Sequence, residues 1–134
     1  MDTNQQGKIT ELEVLSYIIK QGYSVSIPFG DKDRYDQLWD IDGKIYRVQV
    51  KTSRLIDNDT AIKFACYSIS NRKKHTYTEN EVDLFATFYN GQVYVVPIQE
   101  CSTQKILRFT AKNINDPHIN WAKDYTLEEV LKRL

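Results

Sequence analysis

The chain has 134 residues, 41% hydrophobic and 27% charged, the balance of one folded domain rather than a wholly disordered chain. Eighteen basic residues against eighteen acidic ones give a formal net charge of zero, which excludes an indiscriminate polycation of the histone kind. Cys66 and Cys101 show no CxxC spacing and no Cys/His cluster, so the pattern holds no zinc, iron–sulfur or disulfide framework. Both are expected to be ordinary reduced residues of a cytoplasmic protein. The sequence shows no apolar run of about 20 residues and no hydrophobic N-terminal stretch, so no membrane partner is expected.

The first periodic stretch, residues 8–21, predicts a helix stopped by Gly22. At 100° per residue, Leu12, Val14, Leu15, Ile18 and Ile19 form a broad apolar face. Glu11 falls inside that face and is aimed at the core, whereas Glu13 points to solvent. A short strand over 24–28 follows, then two extended runs, 35–41 and 44–51, joined by Asp42-Gly43. Asp-Gly between alternating runs predicts a two-residue hairpin, because both turn positions need positive φ. That turn sets Ile41 opposite Lys44 and, carried along the ladder, Asp36 opposite Gln49. Residues 52–81 are polar, with one strand expected over 61–68. A second hairpin spans 82–89 and 92–98 across Asn90-Gly91, and a C-terminal helix starts at the capping box Thr126-Leu127-Glu128-Glu129. The order is that of an α/β fold around one sheet.

The predicted register places Asp36, Gln49 and Lys51 on one hairpin face, with Val48 and Val50 on the other. Glu11 would approach from a helix covering the first of these. Taken singly, Asp36 reads as a strand-end carboxylate paired with Arg34 or Lys51, and Gln49 as a solvated strand residue. Taken together, they supply what a hard cation such as Mg²⁺ requires, carboxylate and amide oxygens, with a lysine to manage water and phosphate charge.

These residues sit in an extended run from Gly30 through Asp31, Lys32, Asp33, Arg34, Tyr35 and Asp36, continued by residues 40–53 with DGKIYRVQVKTS. The run resembles the core of the PD-(D/E)XK nuclease superfamily, with a restriction-endonuclease-like mixed sheet flanked by helices. Within it, the similarity is greatest to homing endonucleases associated with group I introns in bacteria. The resemblance spans residues 7–54, with a weaker match over 77–99, about half the chain. It implies Mg²⁺-dependent hydrolysis of DNA phosphodiesters, with Mn²⁺ as a substitute, leaving 5′-phosphate and 3′-hydroxyl ends. Asp36 falls on the metal-binding aspartate, Lys51 on the catalytic lysine and Glu11 on the helix-one glutamate. Gln49 stands where Glu or Asp is commoner, so the expected metal ligands are Asp36, Gln49 and Glu11. The superfamily core also has a helix after the third strand, of which residues 52–81 show no clean period.

Charge is unevenly placed. Between Lys44 and Thr78 eight basic residues face only Asp57 and Asp59, a net +6 over 35 residues. Residues 71–75 with Tyr77 read as a mobile basic loop for phosphate oxygens. Arg34, Arg47, Arg54, Arg72, Lys73 and Lys74 are the candidate DNA contacts. Double-stranded DNA and a homo-oligomer, dimer or tetramer, are the expected partners. No P-loop or GxGxxG occurs, and no nucleotide cofactor is expected. A Holliday-junction resolvase and a catalytically silent DNA-binding module are the alternatives.

Overall fold

The computed structural model describes residues 1–30 and 33–134; Asp31 and Lys32 of the extended run lie outside the described residues. Helix α1 (Thr3–Lys20) begins five residues before the predicted start. The reason is a capping box the periodicity did not reveal. The Asp2 carboxylate accepts from the Gln5 N–H at 2.8 Å, and the Asp2 N–H donates to Gln5 Oε1 at 3.3 Å. Its buried side is narrower than predicted: Thr10, Val14 and Ile18 are buried, while Leu12 and Ile19 are 62% and 53% exposed.

Strands β1 (Ser24–Ser26), β2 (Gln37–Ile41) and β3 (Lys44–Val50) form the first antiparallel run. Asp42 and Gly43 both take positive φ, 55° and 90°, so the hairpin turn and its register are as predicted, with Ile41 opposite Lys44 and Gln37 opposite Val48. Strands β8 (Leu84–Tyr89) and β9 (Gln92–Pro97) form the second hairpin, turning at Asn90 and Gly91 with φ of 49° and 81°. Strand β8 pairs parallel with β3, giving one mixed five-stranded sheet in the order β1-β2-β3-β8-β9. The apolar stretches 84–86 and 93–96 are almost wholly buried, the pattern of strands covered on both faces. The outer edge of β9 is closed by the C-terminal segment, where Val95 N–H donates to Tyr125 O at 2.8 Å. Helix α2 (Leu127–Leu131) follows, capped by Thr126 and buried through Leu127 and Val130.

A parallel pair needs a crossover, and here it is made of strands rather than the helix that the resemblance implies. Strand β4 (Arg54–Ile56) and β5 (Ala61–Ala65) join β10 (Gln104–Arg108), which the sequence pattern did not show, in a second sheet ordered β10-β5-β4. The single strand expected over 61–68 breaks at Cys66, and β6 (Tyr67–Ser70) instead pairs with β7 (Lys73–Thr76) in a third, two-stranded sheet. The segment read as a mobile basic loop is thus a hairpin, turned by Asn71 and Arg72 with φ of 52° and 64°. Three sheets, not one, surround the core of Val14, Ile18, Trp39, Val48, Phe85 and Val95. Among the described residues, no helix is long and apolar enough to cross a membrane.

Candidate active site

Asp36 directly precedes β2, where the ladder gives out. Its N–H donates to Val48 O at 2.8 Å, so it does not pair with Gln49 as a continued register would require. Its carboxylate turns back to accept from the Val50 N–H at 2.8 Å, occupying the place the next strand residue would fill. One acidic side chain therefore both ends β2 and caps the edge of β3.

The two faces of β3 have different neighbours. Gln37, on the face of Val48, donates from Nε2 to the Glu11 carbonyl at 2.9 Å. Thr52, in phase with Val48 and Val50, shares a 2.9 Å hydroxyl hydrogen bond with Thr10. Helix α1 consequently covers the Val48–Val50 face, and not the face of Gln49 and Lys51 as the sequence suggested. Glu11 reaches Asp36 at the frayed end of β2, where no intervening strand separates helix from site.

Lys51 continues β3 by donating its N–H to Ala86 O at 2.8 Å, so its side chain emerges on the Gln49 face. Its Nζ donates to Tyr67 O at 2.8 Å and lies 5.2 Å from the centre of the Tyr77 ring. Arg34 stacks on that ring at 4.6 Å, and the ring packs edge-on against Phe85 at 5.5 Å. The sequence pointed to Tyr77 only as a neighbour of the basic segment and not as the ring beneath Lys51 and Arg34, and a carbonyl such as Tyr67 O has no residue-type signature.

Burial sets the electrostatics. Withdrawal from water, then the charge and hydrogen bond of Asp36, push the Glu11 carboxyl from 4.5 up to about 7. Burial also raises Asp36, against the Val50 N–H and the Lys51 charge, and lowers Lys51. Two carboxyl groups that share a hydrogen bond do not readily both ionise without a cation between them. Glu11 binds an extra proton in the folded state between about pH 4.5 and 7, so its contribution to stability declines as pH rises through that window. Asp36 acts in the same direction. Without divalent cation, the melting temperature of the protein relative to Glu11→Gln therefore falls between pH 5 and pH 8. A difference independent of pH in thermal scans would contradict the shared proton.

This donor set suits a hard cation. Two carboxyl groups and the Gln49 amide offer oxygen atoms, the kind of donor such a cation takes, and the Gln49 side chain makes no hydrogen bond among the described residues. Among the described residues, no group of three or more His, Cys, Asp or Glu stands together.

The remaining candidates divide. Arg47 donates to both Asp83 oxygens and to the carbonyls of Glu79 and Asn80, which fastens the entry of β8 to β3. Arg34 Nε lies 2.8 Å from Glu81 Oε2 as an ion pair, while its buried Nη2 has no hydrogen-bond partner. Arg72, Lys73 and Lys74 are exposed on the β6–β7 hairpin, which springs from the same Tyr67 that holds Lys51. Arg54 is exposed on β4. Cys66 and Cys101 are free, and their thiols hydrogen-bond to each other, lowering Cys66 and raising Cys101.

Comparison with solved structures finds a bacterial homing endonuclease, I-Ssp6803I, with TM-score 0.80 and 23% identity, covering 98% of this chain and 93% of the other. That likeness concerns the fold: a central mixed sheet flanked by helices. Among curated protein sequences no match is found. The sequence pattern of PD-(D/E)XK endonucleases, in contrast, matches residues 1–128 and takes in the C-terminal third that the motif left uncovered. On that match, the chain belongs to the PD-(D/E)XK endonuclease family.

Proposed function

We propose that the protein is a Mg²⁺-dependent DNA endonuclease that cuts duplex DNA at a defined site, leaving 5′-phosphate and 3′-hydroxyl ends. The observation that carries this reading is the carboxyl pair Glu11–Asp36 beside a desolvated Lys51. Asp36, Glu11 and the Gln49 amide oxygen would hold the cation. Bound there, Mg²⁺ supplies a Lewis acid for the scissile phosphate and a lowered pKa for a coordinated water. Asp36 is oriented by the Val50 N–H, and Lys51 by the Tyr67 carbonyl, so both meet substrate without reorganising. The Lys51 ammonium donates toward phosphate oxygens as charge accumulates, and its lowered pKa eases proton exchange with the attacking water. Arg34, held over Tyr77, and Arg72, Lys73 and Lys74 on the projecting hairpin would contact phosphates. A chain of 134 residues covers little DNA, which favours a homodimer or homotetramer with two-fold symmetry.

Plasmid nicking that requires Mg²⁺ or Mn²⁺ tests the reading. Binding without cleavage on duplex and four-way junction DNA would overturn it, and preference for the junction would reassign the substrate to a resolvase type. Glutamine at position 49 also removes one negative charge from the cation site. Gln49→Glu is therefore expected to lower the Mg²⁺ midpoint for nicking severalfold, and an unchanged midpoint would remove Gln49 from the ligand set.

A further inference from the structure

Strands β4 and β5 carry an arrangement that their own folding does not explain. Arg54 and Lys63 are direct partners in the antiparallel register, and like charges in that position repel. On the other side of Lys63 the partner is Ile106, which offers no compensating charge. Elsewhere on the same face the sheet neutralises its cation: Arg108 Nη2 lies 2.5 Å from Asp57 Oδ2. Neither Arg54 nor Lys63 has an acidic partner among the described residues. Both line one cleft with Thr52, Ser53, Gln6 and Tyr67.

That cleft is tied to the catalytic strand at two points. Tyr67 presents its carbonyl to Lys51, and Thr52 is fixed to α1 through Thr10. Arg54 lies three residues after Lys51, at most about 10 Å of extended chain. A guanidinium, an ammonium and the neighbouring Ser53 hydroxyl are donors for one kind of anion, a phosphate with several oxygens.

We propose that this cleft binds a backbone phosphate of the DNA next to the scissile position, with Arg54 and Lys63 as joint ligands. The proposal rests on the endonuclease reading above and adds Lys63 and the cleft to it. An anion between the two cations converts their repulsion into two charge-assisted contacts, so the pair is strained without DNA and relieved with it.

The test is the salt dependence of binding to a short mixed-sequence fluorescent duplex in EDTA, followed by anisotropy. Each phosphate contact contributes about 0.9 to the slope of log affinity against log salt, so Arg54→Gln/Lys63→Gln reduces the slope by about 1.8. The wild-type advantage in affinity then shrinks about twelvefold between about 50 and 200 mM salt. Lys63→Gln alone gives half that change in slope, and Arg54→Lys/Lys63→Arg retains the wild-type slope. The charge-matched control Lys123→Gln/Lys132→Gln, at exposed positions near the C-terminus, also retains it. Relief of repulsion further raises the melting temperature of Arg54→Gln in low salt without DNA. A slope in the double variant equal to the control's overturns the cleft while leaving the endonuclease reading intact. A wild-type protein that binds no duplex overturns both.

Discussion

Replacing Lys51 by alanine is expected to lower the rate of Mg²⁺-dependent nicking about 10²- to 10⁴-fold, the range for loss of a positioned acid–base group. Duplex binding should persist, because Lys51 is one cation among many on its side of the molecule and is half-buried. The fold should persist as well. Removing the ammonium leaves Tyr67 O without its donor, at about 1–3 kcal/mol, but also ends the cost of keeping a charge out of water. Lys51→Arg is not expected to rescue. A guanidinium cannot exchange a proton near neutrality, and the space bounded by Tyr67 O and the Tyr77 ring is set for an ammonium. Nicking by Lys51→Ala within threefold of wild type, measured in a time course at matched DNA occupancy, would remove Lys51 from the chemistry.

Asp36 separates two roles that alanine alone would merge. Asp36→Ala and Asp36→Asn should both reduce nicking about 10³-fold or more, since either removes a charged ligand from the cation site. Their stabilities should differ. Alanine leaves the Val50 N–H without an acceptor, at about 1–3 kcal/mol. Asparagine keeps an oxygen for that N–H and relieves the repulsion with Glu11, so without divalent cation it should match or exceed the wild type. Urea unfolding in EDTA reads the difference. Equal destabilisation by both variants would mean that the charge of Asp36, and not its acceptor oxygen, holds the edge of β3.

Local determinants of the fold were legible in the sequence and distant ones were not. Asp42-Gly43 and Asn90-Gly91 were legible because a two-residue turn with positive φ is a local demand, and each then set a register residue by residue. That register was enough to bring Gln49 and Lys51 to one face. It failed at Asp36, where a side-chain hydrogen bond to the backbone displaced the ladder, a competition that alternation does not encode. The covering of β3 by α1 was misread for a related reason. Helical periodicity gives a face to α1 but does not say which side of the sheet receives it, and the Gln37–Glu11 hydrogen bond decides that. Hydrophobicity alone points Leu12 and Ile19 inward, whereas the core takes only the stripe through Val14 and Ile18. Strand β10 was missed because Gln104–Arg108 alternates weakly and earns its place by pairing with β5. Tyr77 was legible only as part of the basic segment, since its packing depends on cations that other segments bring to its ring.

The parallel pairing of β3 with β8 has a consequence for how the protein comes to be active. The β2–β3 hairpin closes across two residues, whereas Val48 meets Leu84 only after all of 51–83 has been looped out. Loop closure costs about 0.6 kcal/mol per doubling of length, so about four doublings add on the order of 2 kcal/mol before any contact repays them. Non-local pairings of this kind slow folding. Asp36, Gln49 and Lys51 can thus gather early on a local hairpin, while Ala86, which anchors Lys51, and Phe85, which backs Tyr77, arrive with the late step. A nascent chain would carry the acid and the lysine in water, ungoverned by burial, and gain its shifted protonation only when the loop closes. Catalytic competence in this sense waits on a non-local closure of the fold.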